Sequence, residues 1–331
     1  MGRTVLVTGG TGFVAGWVIV ELLRRGYPVR ATVRRPDAEA PLRRAIARAI
    51  DPADRLSFAI ADLTSDAGWD AAAAGCDTVL HIASPLGISG GGAEHLLTAA
   101  RDGTLRVLRA AVGAGARKVV MTSSTAACTP ARPLARAIDE TDWTDPDQPG
   151  LAPYRQSKVL AEQAAWAFMA KRDTKLTTIL PGAIFGPVLR PDQQGSVGII
   201  RQLLAGSPPL LPRLAFNITD VRDLAALHVQ AMLAPEADGE RFIAMGDALW
   251  FTEVADALRH RLGPAASKVP TRRMPDLAAR ILATVSPRMK EVLPLLGRTQ
   301  KFSREKARRV LGFWPRPPEE TVADCGASLL P

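Results

Sequence analysis

The first half of the chain alternates short β-branched runs with longer amphipathic segments, and this alternation limits the possible fold more than any other feature. The predicted strands are residues 4–8, 29–33, 56–60, 77–82, 118–122 and 175–180, and the predicted helices are residues 12–25, 37–50, 94–114 and 154–171. Such repetition is typical of α/β folds, in which helices cover both faces of a parallel sheet. We expect a doubly wound parallel sheet with a ligand crevice along one edge.

The strand–helix pattern ends after Pro181. Five prolines lie between residues 187 and 212, which favours loops around short helices. We predict that residues 1–182, with a return segment at about 217–245, form one domain. Residues 183–216 and 246–331 are predicted to form a smaller, mostly helical lobe.

The composition is that of a globular protein, with 47% apolar and 23% charged residues. No apolar run approaches the roughly 18 residues of a membrane span, and glycines follow the first strand too soon for a signal peptide. The three cysteines lack metal-ligand spacing, and the four histidines are scattered and interpreted as structural. We therefore predict a cytoplasmic protein with no metal and no membrane partner.

The net charge of +9 arises from 34 arginines and eight lysines against 33 acidic residues. These cations are dispersed, with mild clusters at residues 272–273 and 301–309. We interpret them as a solvated basic surface, with attraction of an anionic cofactor or substrate as the alternative, and expect no nucleic-acid partner.

A glycine-rich turn joins the first predicted strand to the first helix, with the spacing Gly9-x-x-Gly12-x-x-Ala15. Gly9 permits a tight turn, and Gly12 lets a pyrophosphate approach the helix N-terminus, where free N–H groups favour anions. The turn predicts a dinucleotide site over residues 1–182 that includes Thr11, Phe13 and Val14.

The end of the second predicted strand distinguishes NAD from NADP. An acidic residue there would bind the ribose 2′-hydroxyl, but this chain has Arg34 and Arg35. A guanidinium suits a 2′-phosphate, so we predict NADP(H), with Arg34 as the main contact and Arg35 or Thr11 assisting. The alternative is an arginine pair with no ligand.

Two further strand ends are predicted to line the cofactor. Asp62, followed by Leu63, can accept a hydrogen bond from an adenine amino group, or it can cap a helix instead. Ile82, Ala83 and Ser84 follow the fourth strand and are expected at the inner edge of the cofactor.

Tyr154 precedes Lys158 by four residues, which places the phenol and the ammonium on one face of a helix. A nearby ammonium can lower the pKa of a phenol, so that the phenol exchanges a proton near neutral pH. Ser124 follows the fifth strand and is a candidate partner of this pair.

Together these motifs resemble the extended short-chain dehydrogenase/reductase family, and in particular its branch of dihydroflavonol 4-reductases, cinnamoyl-CoA reductases and aldehyde reductases. The resemblance covers about residues 3 to 230 and includes the segments 8–15, 32–34, 61–63, 81–85, 103–105, 122–124, 154–158, 160–162, 181–187 and 220–223. It implies a Rossmann-type sheet for the first domain and a substrate-binding lobe for the rest.

The resemblance implies a reaction in which Tyr154 protonates an alkoxide formed by hydride transfer from NADPH. Lys158 would hold the nicotinamide ribose and keep the pKa of the phenol low, and Ser124 would hydrogen-bond the carbonyl oxygen. Further residues implied at the cofactor follow the strands or begin the lobe: Thr122, Pro181, Ala183 and Ile184. Tyr154 and Lys158 are implied there as well.

The substrate wall is predicted from apolar segments that include Pro85, Leu86, Ala126 and Phe216. It favours a hydrophobic or aromatic aldehyde or ketone. Thr129 stands where plant dihydroflavonol reductases carry an asparagine, which argues against a plant-like flavonoid specificity. The protein is expected to be a monomer or a homodimer.

Two alternatives stay open. The first, within the same fold, is a sugar-nucleotide epimerase or dehydratase, or a hydroxysteroid-type dehydrogenase; epimerases usually retain NAD. The second is a non-catalytic NADP-sensing regulator, which would be indifferent to Tyr154→Phe.

Overall fold

The computed structural model describes residues 4–85, 92–193 and 195–330. Its strands are β1 Thr4–Val7, β2 Val29–Val33, β3 Leu56–Ile60, β4 Cys76–His81, β5 Lys118–Thr122, β6 Lys175–Pro181, β7 Ala183–Phe185, β8 Leu210–Leu211, β9 Ala215–Asp220, β10 Arg241–Ala244, β11 Ala248–Trp250 and β12 Arg272–Arg273. Its helices are α1 Phe13–Arg24, α2 Glu39–Ala47, α3 Trp69–Ala73, α4 Gly92–Gly113, α5 Pro153–Met169, α6 Val197–Leu204, α7 Val221–Leu233, α8 Phe251–Leu262, α9 Asp276–Val285, α10 Pro287–Val292, α11 Glu305–Leu311 and α12 Pro318–Ala327. None of these helices, within the described ranges, has the length and apolarity to cross a membrane.

Seven parallel strands form the main sheet, in the order β3-β2-β1-β4-β5-β6-β10. The order reverses at β1, which has β2 on one side and β4 on the other, and this is the predicted Rossmann-type doubly wound arrangement. All six predicted strands are present, and the return segment contributes the seventh. In the edge register, Arg241 of β10 lies opposite Thr178 of β6.

The packing of the core explains why the sequences of these strands are continuously apolar. Leu6, Val79 and Val119 from three neighbouring strands are buried in one cluster with Leu108 of α4 and Ala165 of α5. A sheet covered by helices on both faces has little solvent-facing surface, so its strands need no polar alternation.

The chain divides into two compact units. The first unit comprises Met1–Pro181, Leu224–Ala244 and Ser303–Phe313. The second comprises Gly182–Asp223, Met245–Phe302 and Trp314–Pro331. The assignment of the two units to cofactor and substrate remains a prediction.

The segment Ser303–Phe313 belongs to the first unit, although the sequence placed it in the lobe. Its helix α11 packs against β10 and buries Ala307 and Leu311. The backbone N–H of Ser303 also donates to the carbonyl of Ile138. These contacts join residues that are far apart in the chain, so no local sequence pattern predicts them.

The second unit contains a three-stranded sheet, in the order β11-β9-β7, and a pairing of β12 with β8. Helix α12 packs against α8, and the two approach closely at Gly326, where a Cβ atom would lie 2.6 Å from a methyl carbon of Leu258. This close packing requires the glycine.

Candidate functional site

The glycine turn after β1 has the conformation that the sequence predicted. Gly9 has a φ of +70°, and a Cβ atom on it would lie 3.0 Å from Cα of Ala83. The N–H of Gly9 donates to Oγ1 of Thr32 (2.9 Å), and the N–H of Gly12 donates to the carbonyl of Gly9 (2.8 Å). The turn therefore depends on a left-handed residue without a side chain.

The N-terminus of α1 is suited to an anion. Gly12 is its N-cap, and within the described residues no side chain caps this end of the helix. The first helical hydrogen bond runs from Gly16 to Gly12, so the N–H groups of Phe13, Val14 and Ala15 have no partner within the helix. Free donors at the positive end of a 12-residue helix fit the pyrophosphate of a dinucleotide.

A buried network that the sequence did not reveal holds this turn against the end of β4. Oγ1 of Thr8 accepts hydrogen bonds from the N–H groups of Ile82 and Ala83, each at 3.0 Å. Its own hydrogen points to Nδ1 of His81 (3.0 Å), which leaves Nε2–H to donate to Thr104 (3.4 Å). Burial and the nearby ammonium of Lys158 lower the pKa of His81 to about 3.

The two arginines after β2 differ in their surroundings. Both are exposed. Nε of Arg35 lies 3.3 Å from a carboxylate oxygen of Asp37, whereas the guanidinium of Arg34 makes no hydrogen bond or ion pair among residues 4–85, 92–193 and 195–330. Arg34 is thus an available cation at the end of β2.

Asp62 and Leu63 follow β3 in a turn rather than at a helix cap. Oδ1 of Asp62 accepts hydrogen bonds from the N–H (2.9 Å) and the hydroxyl (2.8 Å) of Thr64. Arg106, reaching from α4, donates to the carbonyl of Leu63 (2.9 Å) and forms an ion pair with Asp66. Arg106 therefore anchors this loop, a role that its sequence position did not indicate.

Lys158 is tied to the end of β4. Its Nζ donates to Oγ of Ser84 (2.9 Å), another of the predicted residues. Burial lowers the pKa of Lys158 to about 8, although the carboxylate of Glu162 acts in the opposite direction.

Tyr154 lies in the first turn of α5, with the hydroxyl of Ser124 close enough to act on its phenol. The side chain as a whole is 41% exposed, but the surroundings of its hydroxyl are desolvated, and this raises the pKa of Tyr154 while the hydroxyl of Ser124 lowers it. Nζ of Lys158 lies 5.7 Å from the centre of the ring. The pKa depression by Lys158 that the sequence suggested is absent from this geometry; Ser124 supplies the lowering influence.

The positions of Ser124 and Tyr154 follow from local structure. Ser124 caps the 3-10 turn Thr125–Ala127, because its Oγ accepts a hydrogen bond from the N–H of Ala126 (3.1 Å). Pro153 begins α5, and the positive end of that helix favours a phenolate on Tyr154.

One turn beyond Lys158, Glu162 is the centre of a second buried network. Its carboxylate is fully buried and accepts hydrogen bonds from Ser123 (2.6 Å), Thr178 (2.7 Å) and Nε of Arg241 (2.9 Å). Arg241 also stacks on Trp143, 3.7 Å from the ring centre. The spacing of Tyr154, Lys158 and Glu162 could have indicated this role, whereas nothing local pointed to Arg241.

Thr122 and Pro181, two other predicted cofactor residues, lie at neighbouring strand ends. Oγ1 of Thr122 donates to Nε2 of His228 (2.7 Å), since Nδ1–H of that ring donates to the carbonyl of Leu224 (2.8 Å). Burial lowers the pKa of His228 to about 4. The carbonyl of Pro181 accepts from the hydroxyl of Thr125 (3.3 Å).

The predicted substrate residues are spread over both units. Pro85 is buried, Ala126 is half-buried, and Leu86 lies outside the described residues. Phe216 of the second unit packs edge-to-face on Phe185 and on Phe251. Ala183 and Ile184 lie in β7, which pairs with β9.

Thr129, from which the sequence argued against a plant-like flavonoid specificity, makes hydrogen bonds within its own loop. Its hydroxyl donates to the carbonyl of Thr125 (2.7 Å), and its N–H donates to Oγ1 of Thr144 (2.8 Å). The side chain is buried, so it stabilises the loop after β5.

Within the first unit, the structure thus places the hydroxyl of Ser124 near the phenol of Tyr154 and joins Lys158 to Ser84 by a hydrogen bond. The glycine turn is linked to the same strand end as Ser84 through Thr8. Among the described residues, no three histidine, cysteine or acidic side chains are placed to hold a metal ion.

The chain is similar to known proteins in both sequence and fold. The profile of the NAD dependent epimerase/dehydratase family matches residues 5–245. The chain is 36% identical to cinnamoyl-CoA reductase 1 of Oryza sativa subsp. japonica, over 78% of this chain and 75% of the relative, and 33% identical to dihydroflavonol 4-reductase of Dianthus caryophyllus, over 78% and 73%. It is also similar to the crystal structure of Gre2 from Candida albicans in complex with NADPH, with a TM-score of 0.82, 28% identity and coverage of 99% of this chain and 98% of the other.

Proposed function

Because the chain belongs to the NAD dependent epimerase/dehydratase family, we propose that it is an NADP(H)-dependent carbonyl reductase. It transfers hydride to a hydrophobic or aromatic aldehyde or ketone and oxidises the alcohol in the reverse direction. The observation that carries the proposal is the pair Ser124–Tyr154 beside the ammonium of Lys158. The relatives named cinnamoyl-CoA and dihydroflavonol reductases support reduction as the reaction class.

Ser124, Tyr154 and Lys158 have different roles in this reaction. Tyr154 donates a proton to the alkoxide oxygen as it forms, and the N-terminus of α5 stabilises the phenolate that remains. The hydroxyl of Ser124 also donates a hydrogen bond to the substrate oxygen. Lys158, a cation below about pH 8, would hold the nicotinamide ribose.

The cofactor is NADP(H), and its hydride is the reductant that the reaction requires. The N-terminus of α1, including Phe13 and Val14, would hold its pyrophosphate, and the available guanidinium of Arg34 would bind the 2′-phosphate. The NADPH complex of the similar Gre2 structure supports this choice. The remaining predicted cofactor residues are assigned to the same site: Gly9, Thr11, Gly12, Asp62, Leu63, Ile82, Ala83, Ser84, Thr122, Pro181, Ala183 and Ile184.

The substrate class follows from the apolar character of the predicted wall. Pro85, Ala126 and Phe216 offer no charge to a polar carbonyl compound such as a nucleotide sugar. Phe216 adds an aromatic ring held by two edge-to-face contacts, which suits a flat apolar substrate.

Loss of reduced-cofactor absorbance tests the proposal, with aromatic and aliphatic aldehydes and ketones as substrates and with NADPH and NADH in parallel. We expect turnover that prefers NADPH. In Arg34→Ser the KM for NADPH should rise by about 10- to 100-fold, because a charge-assisted hydrogen bond contributes about 1.5–3 kcal/mol. Arg44→Ser, which changes an exposed arginine of α2, is the matched control and should leave the KM unchanged.

Two results would reject the proposal. The first is conversion of nucleotide sugars alone, with NAD retained through purification, which would identify an epimerase or a dehydratase. The second is tight cofactor binding without turnover of any carbonyl compound, which would identify a sensor.

A further inference from the structure

Helix α9 (Asp276–Val285) exposes its large apolar side chains and buries its small ones. Leu277, Ile281 and Val285 are 70%, 62% and 78% exposed, whereas Ala279 and Ala283 are buried. A surface helix of a globular protein ordinarily turns its large apolar residues towards the core. The reversed orientation leaves apolar surface facing the solvent.

The exposed residues form a continuous stripe, the α9 stripe, which consists of Leu277, Ile281, Leu282 and Val285. Three members are spaced by four residues and therefore lie one above another along the helix. They extend over about 12 Å at 1.5 Å per residue. The turn Leu293–Leu295 packs against α9 and carries a further exposed leucine, Leu295.

The same part of the second unit carries most of the net charge of the chain. Residues 268–302 contain eight lysines and arginines but only two acidic residues, so they account for +6 of the net charge of +9. Arg272, Arg273 and Arg280 are exposed, and Arg280 borders the stripe on the helix itself. Asp276, one of the two acids, is already paired with Arg213 (2.9 Å).

The charge and the shape of the α9 stripe indicate which kind of partner it binds. A second copy of the chain, docked through the same stripe, would bring two strongly cationic surfaces together, and like charges oppose that contact. A helical peptide partner needs a groove, whereas a stripe along a single exposed helix is convex. An anionic lipid surface meets both features, because it accepts apolar side chains at the headgroup boundary and attracts arginines.

We propose that the α9 stripe docks the protein on an anionic membrane surface, with the apolar side chains in the headgroup boundary and the flanking arginines on lipid phosphates. The earlier expectation of no membrane partner rested on the lack of a spanning segment. Peripheral binding requires no such segment.

Co-sedimentation of the full chain with vesicles tests the proposal, with phosphatidylcholine alone compared with a phosphatidylserine–phosphatidylcholine mixture. Binding is expected only to the mixture, and added salt should release the protein. Arg272→Ser with Arg273→Ser should weaken binding by about fivefold for each charge removed. Ile281→Asp with Val285→Asp should weaken it by about tenfold or more, through lost apolar burial.

Matched controls change the same residue types elsewhere: Leu233→Asp, at an exposed apolar position of the first unit, and Arg259→Ser with Arg261→Ser on α8. These variants should sediment like the native chain, and melting curves should show that every variant is folded. The proposal is overturned by equal binding to both vesicle types, by binding to neither, or by equal losses in controls and stripe variants. A concentration-dependent dimer that the stripe variants abolish would also overturn it, in favour of a second copy.

Discussion

At the residue scale, the surroundings of Lys158 determine how readily its amine is protonated. Lys158 is half-buried, with Ser84 as its hydrogen-bond partner and Glu162 one helical turn away. Burial disfavours the ammonium and lowers the pKa of Lys158 to about 8. A desolvated ammonium lowers the free energy of unfolding, and groups with such shifted pKa values are typical of functional sites.

Replacing Lys158 with methionine is expected to stabilise the protein at pH 7 while abolishing turnover. The pKa of the lysine is depressed on folding, so the unfolded chain binds the extra proton between about pH 8 and pH 10.5, and the stability of the native protein rises through that window. Lys158→Met removes this dependence and should raise the free energy of unfolding at pH 7 by about 2–3 kcal/mol.

Urea unfolding at pH 7 and pH 10 measures this effect. Lys171→Met, at an exposed lysine, is the matched control and should reproduce the native pH dependence. A Lys158→Met variant less stable than the native protein at pH 7 would contradict the assigned pKa.

At the element scale, α5 carries the two proposed catalytic side chains on one face and its own anchor on the same face. Tyr154, Lys158 and Glu162 are spaced by four residues, and Glu162 fixes the helix through Ser123 of the loop after β5 and Arg241 of β10. Ser123 is adjacent to Ser124, so this anchor also positions the hydroxyl near Tyr154.

Removing one partner of the Glu162–Arg241 ion pair is expected to destabilise the protein more than removing both partners. Arg241→Met leaves a fully buried carboxylate without its cation, and should lower the free energy of unfolding by about 3–5 kcal/mol. The double variant Arg241→Met with Glu162→Gln should recover much of this loss, because the side chain left at position 162 is uncharged.

Chemical denaturation of both variants tests the coupling. The control is Arg117→Met, which breaks the ion pair with Asp77 while the arginine side chain is 74% exposed, and it should cost about 1 kcal/mol or less. Equal losses in the single and the double variant would show that Arg241 acts only through packing.

The sequence predicted the elements better than it predicted their mutual contacts. Runs such as Val119–Met121 have strong local patterns, so all six predicted strands and the glycine turn were found. The partner of Glu162 comes from 79 residues further along the chain, and the network of Thr8, His81 and Thr104 depends on strand order. Such contacts arise from topology, which short-range patterns do not encode.

At the scale of the whole molecule, two buried histidines are expected to make the protein sensitive to acid. The pKa of His81 is lowered to about 3 and that of His228 to about 4, so both are neutral in the native protein where the unfolded chain is protonated. The stability that they contribute is present above about pH 6.5 and is lost as the pH falls. Between pH 7 and pH 5 the loss should be about 2 kcal/mol for each histidine.

Unfolding at pH 7 and pH 5 measures this loss. His228→Gln should reduce the difference between the two pH values, whereas His260→Gln, at an exposed position of α8, should not. A native protein that is equally stable at both pH values would contradict the assigned burial of both rings.

The most direct test of the proposed chemistry is the effect of Tyr154→Phe on NADPH-dependent aldehyde reduction, measured together with the dissociation constant of NADPH. The proposed role predicts that kcat falls by about 10²- to 10⁴-fold, because the general acid is lost. The dissociation constant of NADPH should differ from that of the native protein by no more than about twofold. The reason is that the hydroxyl of Tyr154 is proposed to act in the transition state and not in ground-state binding of the cofactor. A variant that retains native kcat would contradict the role of Tyr154, and so would a loss of activity that is explained entirely by weaker NADPH binding.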